Sequence, residues 1–119
     1  MKIYTYAPNE NWIVDRIMNE FSHRWPENTT NNLNKATLFW KMSAAPWSVD
    51  LPTITTIHHV DPIKAPEGFY SEIDSTTDVY HTFADNTKLQ LEGRQDITKP
   101  IFVLPYWVNF ELWYPGDRE

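Results

Sequence analysis

The chain has 119 residues and a mass of 14.1 kDa, which fits one domain with a single hydrophobic core. Sixteen acidic and ten basic residues give a formal net charge of −6 at pH 7, which argues against a cationic surface for nucleic acid or anionic lipid. Because the sequence contains no cysteine, it excludes disulfides, thiolate metal sites and cysteine nucleophiles.

The N-terminal residues, MKIYTYAPNE, lack the apolar core of a signal peptide, and no stretch approaches the ~20 apolar residues of a membrane span. We therefore expect a cytoplasmic protein with no membrane span. Aromatic residues make up 15% of the chain, and several of them stand near the C-terminus. This excess indicates an interaction surface or a site that stacks on ring-shaped ligands.

The hydrophobic pattern predicts strands alternating with helices. Residues 2–7 alternate in polarity and predict a first strand, and apolar residues spaced by three and four from Val14 onward predict a helix that ends before Pro26. The polar residues 26–35 predict a loop. Apolar or β-branched runs predict four further strands, over residues 36–42, 53–60, 79–83 and 101–104.

Two segments between these strands carry weaker patterns. Residues 61–77 contain two prolines and Gly68, and predict no regular secondary structure. Asp85 can cap a short helix over 86–92, which Gly93 would end. The element order predicts an α/β, Rossmann-like fold whose mostly parallel, five-stranded sheet carries helices on both faces. Such sheets bind ligands beyond the carboxyl ends of their strands, so we expect the functional site there.

Two adjacent histidines, His58 and His59, lie near the carboxyl end of a predicted strand. Because neighbouring side chains of a strand leave opposite faces, and because no metal-ligand spacing such as HExxH is present, we expect no metal site. Either histidine can be a hydrogen-bonded residue of a half-buried strand end, or can face a cleft and bind a polar ligand or leaving group. Asp61 can orient that histidine, or can belong to the turn before Pro62.

Other catalytic patterns find no support in the sequence. It contains no G-x-S-x-G nucleophile elbow and no glycine-rich phosphate loop after the first strand. Tryptophans can supply stacking platforms for sugar or base rings, or can simply fill the core or an interface. The candidates are Trp40, Trp47, Trp107 and Trp113.

Three stretches of the second half, TITTIHHVDP, DVYHTFADNTKLQLEGR and PIFVLPYWVNFELWYP, occur in a familiar order. They resemble, respectively, a strand ending in a Thr-x-His element, a strand followed by a helix, and a closing strand with the corner that leads to a second domain. These are features of the N-terminal domain of GT-B-fold glycosyltransferases, particularly the retaining family 4 group. The opening stretch KIYTYAPNENWIVDRIMNEF fits the first strand and helix of that domain more loosely.

The resemblance implies a Rossmann-like domain over residues 1–107 and an interdomain-linker-like tail over 108–119. It implies transfer of a sugar from a nucleotide-sugar to an acceptor hydroxyl with retained configuration, with no obligatory metal and no other cofactor. By the same resemblance, His58 matches the histidine that approaches the donor sugar and is the expected catalytic residue. The expected substrate-binding residues around it are His59, Asp61, Trp47, Asn86 and Asn109.

The sequence ends where the second, donor-binding domain of that family would begin, so we expect the isolated chain to show little or no transferase turnover. The expected partners are a sugar acceptor and either the missing C-terminal domain or a second copy of the chain. The aromatic tail residues Trp107, Phe110 and Trp113 would make that contact. Two alternatives stay open: a stand-alone module that binds carbohydrate or another small ligand, and an assembly protein that forms a homo-oligomer.

Overall fold

The computed structural model describes residues 1–7, 13–60 and 68–105. In that part of the chain it has an α/β fold with six strands and three helices, which confirms the predicted fold class. The elements in chain order are β1 (Ile3–Tyr6), α1 (Ile13–Arg24), β2 (Thr29–Thr30), β3 (Leu38–Lys41), β4 (Thr53–Thr56), α2 (Phe69–Ser75), β5 (Val79–Thr82), α3 (Asp85–Glu92) and β6 (Ile101–Val103). The predicted boundary between residues 107 and 108 lies outside the described residues.

The strands form one sheet in the order β2-β1-β3-β4-β5-β6, and every neighbouring pair is parallel. The chain therefore proceeds outward from β1 in both directions, and the order reverses between β1 and β3. This is a doubly wound sheet, in the 2-1-3-4-5 order extended by a sixth strand. The carboxyl ends of all six strands lie at one edge, and the reversal falls between β1 and β3, which is where doubly wound sheets bind their ligands.

Helices cover both faces of the sheet. On one side, which we call the α1 face, Val14 and Ile17 of α1 pack with Met42, and Phe21 meets Trp40 edge to face with ring centroids 5.0 Å apart. On the other side, the α2–α3 face, the buried core consists of Ile57, Ile73, Tyr80 and Leu91. Because strand side chains alternate, Trp40 and His81 belong to the α1 face, whereas Lys41 and Tyr80 belong to the α2–α3 face.

The predicted count of five strands is wrong, because Thr29–Thr30 forms the additional edge strand β2 inside a segment predicted to be a loop. Its two residues pair with Ile3 and Tyr4 of β1. Two polar residues are too short to show a strand periodicity, so the pairing with β1 rather than the local sequence creates this strand.

Helix α2 lies inside residues 61–77, for which the sequence predicts no regular secondary structure. Gly68 precedes it with a φ of 82°, a left-handed conformation that glycine adopts without steric cost. One face of its two turns is buried through Tyr70, Ile73 and Asp74, so tertiary packing stabilises a helix that is too short to form alone.

Helix α3 begins one residue earlier than predicted. Ala84 occupies the N-cap position and Asp85 is the first helical residue, so Asp85 does not act as the cap. Its carboxylate still lies in the first turn, where negative charge interacts favourably with the helix dipole. No helix in the described part of the chain is long and apolar enough to cross a membrane.

Candidate functional site

His58 stands at the carboxyl edge of the sheet, two residues beyond the end of β4. Its Nε2 lies 2.8 Å from the carbonyl oxygen of Met42, the residue that follows β3. Its ring packs against the ring of Phe83, with centroids 5.3 Å apart. Because a carbonyl only accepts hydrogen bonds, Nε2 of His58 carries the proton and donates it. This bond joins the ends of two neighbouring strands and leaves the imidazole half-buried at the edge.

A second histidine, His81, lies on the same face one strand further along. Its Nε2 donates to the carbonyl of Leu104 at 2.9 Å, and its Nδ1 lies 2.9 Å from Oγ1 of Thr56. Trp40 donates its Nε1 proton to that same hydroxyl oxygen at 2.8 Å. The proton directions are therefore fixed: Trp40 donates to Thr56, Thr56 donates to His81, and His81 donates to Leu104. This network ties together β3, β4, β5 and the end of β6.

Both histidines are uncharged at neutral pH. Burial lowers the pKa of His58, the hydrogen bond to Met42 opposes that shift, and the neighbouring His59 lowers the pKa further. Burial likewise lowers the pKa of His81, opposed by the Leu104 bond and reinforced by His58. A neutral imidazole at this edge is suited to hydrogen bonding with hydroxyl groups, rather than to pairing with a phosphate charge.

Lys41, at the carboxyl end of β3, is buried on the α2–α3 face. Its ammonium donates to the carbonyls of Ala45 and Trp47, at 2.7 and 3.0 Å, and to Oγ1 of Thr76 at 3.0 Å. Burial lowers its pKa to about 8. Since three acceptors match the three ammonium protons, Lys41 fixes the loop after β3 against the end of α2.

The structure brings together only some of the predicted site residues. Asn86 lies in the first turn of α3, three residues after Phe83, so it occupies the same end of the sheet as His58, and its side chain is exposed. His59 is also exposed. Asp61 and Asn109 lie outside the described residues, as do the predicted partner-contacting residues Trp107, Phe110 and Trp113.

Trp47 does not lie beside His58. Its ring packs edge to face against Tyr6, with centroids 4.7 Å apart, and against Phe39 at 5.4 Å. Phe39 is on the α2–α3 face of β3, opposite to the face of His58. The bond from Lys41 to the Trp47 carbonyl holds the loop on that side, which explains why Trp47 is separated from the histidines.

Three further residues lie on the same face as His58 and were not predicted as site residues: Thr56, His81 and Phe83. For His81 and Phe83 the signal was the alternation along β5, where every second residue from Val79 belongs to the α1 face. That period places His81 and Phe83 on one side, and their rings meet edge to face with centroids 4.6 Å apart.

No group of three or more potential metal-ligating side chains occurs within residues 1–7, 13–60 and 68–105. Comparison of the chain with protein-family models, curated proteins and solved structures finds no match.

Proposed function

We propose that this chain is the acceptor-side domain of a nucleotide-sugar-dependent glycosyltransferase, in which His58 contacts the donor sugar. The observation that carries the proposal is the 2.8 Å bond between His58 and the Met42 carbonyl. It holds a half-buried imidazole beside the carboxyl end of β3, where the strand order reverses and where doubly wound sheets bind their ligands.

The chemistry of this edge suits a sugar better than a phosphate. A neutral His58 can hydrogen-bond to a hydroxyl, and the Phe83 ring beside it offers an apolar surface to a pyranose ring. The chain carries a net charge of −6, which disfavours capture of the nucleotide diphosphate by this domain alone. The nucleotide would therefore be held by a second domain.

In the proposed reaction, the bond between the sugar anomeric carbon and the nucleotide phosphate oxygen breaks, and a bond to the acceptor oxygen forms. The departing phosphate oxygen keeps the electron pair of the broken bond and takes up the proton that the acceptor hydroxyl loses. His58 acts at this step by positioning a sugar hydroxyl, while preorganised dipoles stabilise the positive charge that develops on the sugar.

Titration calorimetry of the 119-residue chain with free sugars and nucleotide-sugars tests the proposal. We expect a sugar from the panel to bind, and His58→Ala to weaken that binding at least tenfold. His23→Ala is the matched control, because His23 is an exposed histidine in the last turn of α1. Sugar binding that His58→Ala leaves unchanged would contradict the proposal.

Nucleotide dependence separates the proposal from its nearest alternative. A transferase domain should bind an acceptor sugar more tightly when the cognate nucleotide-sugar and a donor-binding domain are present. Sugar binding that no nucleotide-sugar affects, under any of these conditions, would instead support a stand-alone carbohydrate-binding module.

A further inference from the structure

The α1 face carries an open apolar groove that α1 does not cover. It has a volume of about 280 Å³, and apolar side chains make up almost all of its wall. The residues that matter here are Trp25 at the end of α1, Trp40 and Ile54 on its floor, and Phe102, Leu104 and Pro105 at its far side. Trp25, Phe102 and Leu104 are each 40% exposed or more.

A groove of this kind is unusual on a doubly wound sheet, because parallel strands are normally buried on both faces. On the opposite side, α2 and α3 cover the central and outer strands through Ile73 and Leu91. On the α1 face, in contrast, the part of the chain that the structure describes leaves Phe102 of β6 40% exposed. Within residues 1–7, 13–60 and 68–105, no helix covers the outer half of this face.

We propose that the C-terminal segment of this same chain, residues 106–119, covers the groove with its aromatic side chains. The segment begins at the groove. Pro105 is part of the groove wall, and residue 106 follows it directly. The bond from His81 to the Leu104 carbonyl and the bond from the Leu104 amide to the Thr82 carbonyl, both 2.9 Å, hold the chain at the point where it leaves β6.

The segment also has a suitable composition. The segment contains five aromatic residues in its first nine positions, and they match the apolar character of the groove. They are Tyr106, Trp107, Phe110, Trp113 and Tyr114. Five neighbouring aromatic side chains exposed to water together would form a larger apolar patch than monomeric proteins usually present.

The segment is long enough to cross the groove. From β6 to β1 the sheet is about 19 Å wide at the usual strand spacing of ~4.8 Å. Fourteen residues span up to ~46 Å when extended and ~21 Å when helical, so the segment can cross the groove in either conformation. Attachment at Pro105 also gives it an effective concentration in the millimolar range, which a separate molecule rarely reaches.

A second copy of the chain is a weaker candidate for this groove. Each copy carries a net charge of −6, so association of two copies is opposed by repulsion that the tethered segment largely avoids. The groove shares Trp40 and His81 with the hydrogen-bond network beside His58, but its occupancy requires no sugar and no nucleotide, so it can be tested separately from the proposed glycosyltransferase function.

Disulfide trapping in the full chain tests the proposal, and the natural sequence helps because it contains no cysteine. A cysteine at the groove rim, Trp25→Cys, is combined with a second one in the segment, at Val108 or Leu112, so that all five aromatic residues of the segment remain. The matched control places the first cysteine at Leu89, which is 66% exposed on α3 and belongs to the opposite face.

We expect at least one of the Trp25→Cys pairs to form an intrachain disulfide in the monomer at least tenfold faster than the corresponding Leu89→Cys pair. Equal rates at the two positions, or no disulfide from Trp25→Cys, would overturn the proposal. Disulfides that form only between chains would also overturn it, in favour of a second copy as the occupant.

Proteolysis provides a second test that needs only one substitution. Phe102→Glu places a charge in the groove, and we expect it to speed chymotrypsin cleavage within residues 106–114 at least tenfold. Leu89→Glu is the control and should leave that rate unchanged, with the folding of both variants checked by circular dichroism. A cleavage rate that Phe102→Glu does not alter would contradict occupancy of the groove by this segment.

Discussion

The imidazole of His81 in β5 donates its Nε2 proton to the carbonyl of Leu104, across 2.9 Å, and thereby fixes the chain just beyond the edge strand β6 to the neighbouring strand β5. Its other nitrogen accepts from Thr56. This arrangement requires the neutral imidazole, because protonation of Nδ1 would remove the acceptor that the Thr56 hydroxyl uses. The protonation state of His81 therefore affects the contacts between β4, β5 and the end of β6.

His81→Gln tests how this residue couples stability to pH. The pKa of His81 is lowered in the folded protein, chiefly by burial, so the unfolded chain takes up a proton first as the pH falls below about 6.5. Folding stability consequently decreases on acidification through that range. The glutamine variant can still donate to Leu104 but does not titrate, so we expect a smaller loss of unfolding free energy between pH 7.5 and pH 5.

Urea denaturation at the two pH values measures this effect. His23→Gln, an exposed histidine of α1, is the control, and it should retain the full pH dependence of the natural sequence. A His81→Gln protein whose stability falls by as much as that of the natural sequence would contradict the assignment. His58 contributes in the same direction, because burial also lowers its pKa.

The general fold could be predicted from sequence where periodicity was strong. The apolar spacing that begins at Val14 predicted α1, and the β-branched run over 53–60 predicted β4. Strand β2 could not be predicted, because Thr29–Thr30 becomes a strand only by pairing with β1. Helix α2 could not be predicted either, because its two turns are stabilised by burial of Ile73 against the sheet rather than by helix propensity.

The candidate site was predictable only where it follows from the strand ends. The rule that ligands bind at the carboxyl edge placed His58 correctly at that edge, although the predicted strand over 53–60 extends four residues beyond the observed end of β4 at Thr56. The same rule predicted that Trp47 lies beside His58, whereas its ring packs against Tyr6 and Phe39 on the opposite face. The hydrogen bonds of Lys41 determine the face on which Trp47 lies. No sequence pattern predicts that this lysine is buried or that it binds the carbonyls of Ala45 and Trp47 and the hydroxyl of Thr76.

Lys41 should make the protein more stable as the pH rises from 8 to 9.5. Burial lowers its pKa in the folded state to about 8, below the usual lysine value of 10.5, so the unfolded chain binds the proton more strongly across this interval. We expect a gain on the order of 1–2 kcal/mol in unfolding free energy, at ~1.4 kcal/mol per pKa unit. Lys41→Met should abolish it.

The interval ends at pH 9.5 because Tyr80 acts in the opposite direction at higher pH. Burial and the hydrogen bond to Asp74 raise the pKa of Tyr80, so ionisation of this tyrosine in the unfolded chain lowers stability above about pH 10. Lys35→Met, at an exposed position, is the control for Lys41→Met and should preserve the gain. A gain that persists in Lys41→Met would show that another group is responsible.

Asp74 organises the segment before β6, and its removal should be most costly at neutral pH. It accepts from the Tyr80 hydroxyl at 2.8 Å, from the Thr98 amide at 3.0 Å and from the Thr98 hydroxyl at 2.5 Å. Burial alone would raise the pKa of Asp74, but the bonds from Thr98 and Tyr80 outweigh it and hold that pKa below its usual range.

Because the folded-state pKa of Asp74 is depressed, the stability it contributes is present above about pH 4 and is lost as the pH falls further. We expect Asp74→Asn to lower the unfolding free energy by about 1–3 kcal/mol at pH 7 and to weaken the acid dependence below pH 4. Thermal denaturation from pH 7 to pH 2 measures both effects. Asp50→Asn, at an exposed loop position, is the control and should show neither effect. An Asp74→Asn protein with unchanged stability at pH 7 and unchanged acid dependence would contradict the role of Asp74.

Two buried threonines of neighbouring strands should respond oppositely to the same substitution. Thr56 accepts from Trp40 and donates to His81, so Thr56→Val leaves two buried partners unsatisfied and should lower the unfolding free energy by about 1–3 kcal/mol. The hydroxyl of Thr82 is buried without a hydrogen-bond partner among the described residues. Thr82→Val exchanges that hydroxyl for a methyl group of similar size, so it should be neutral or stabilise the fold by up to about 1 kcal/mol.

Parallel urea denaturation of the two variants at pH 7 checks the contrast. A Thr82→Val protein destabilised as much as Thr56→Val would show that the Thr82 hydroxyl has a partner outside the described part of the chain.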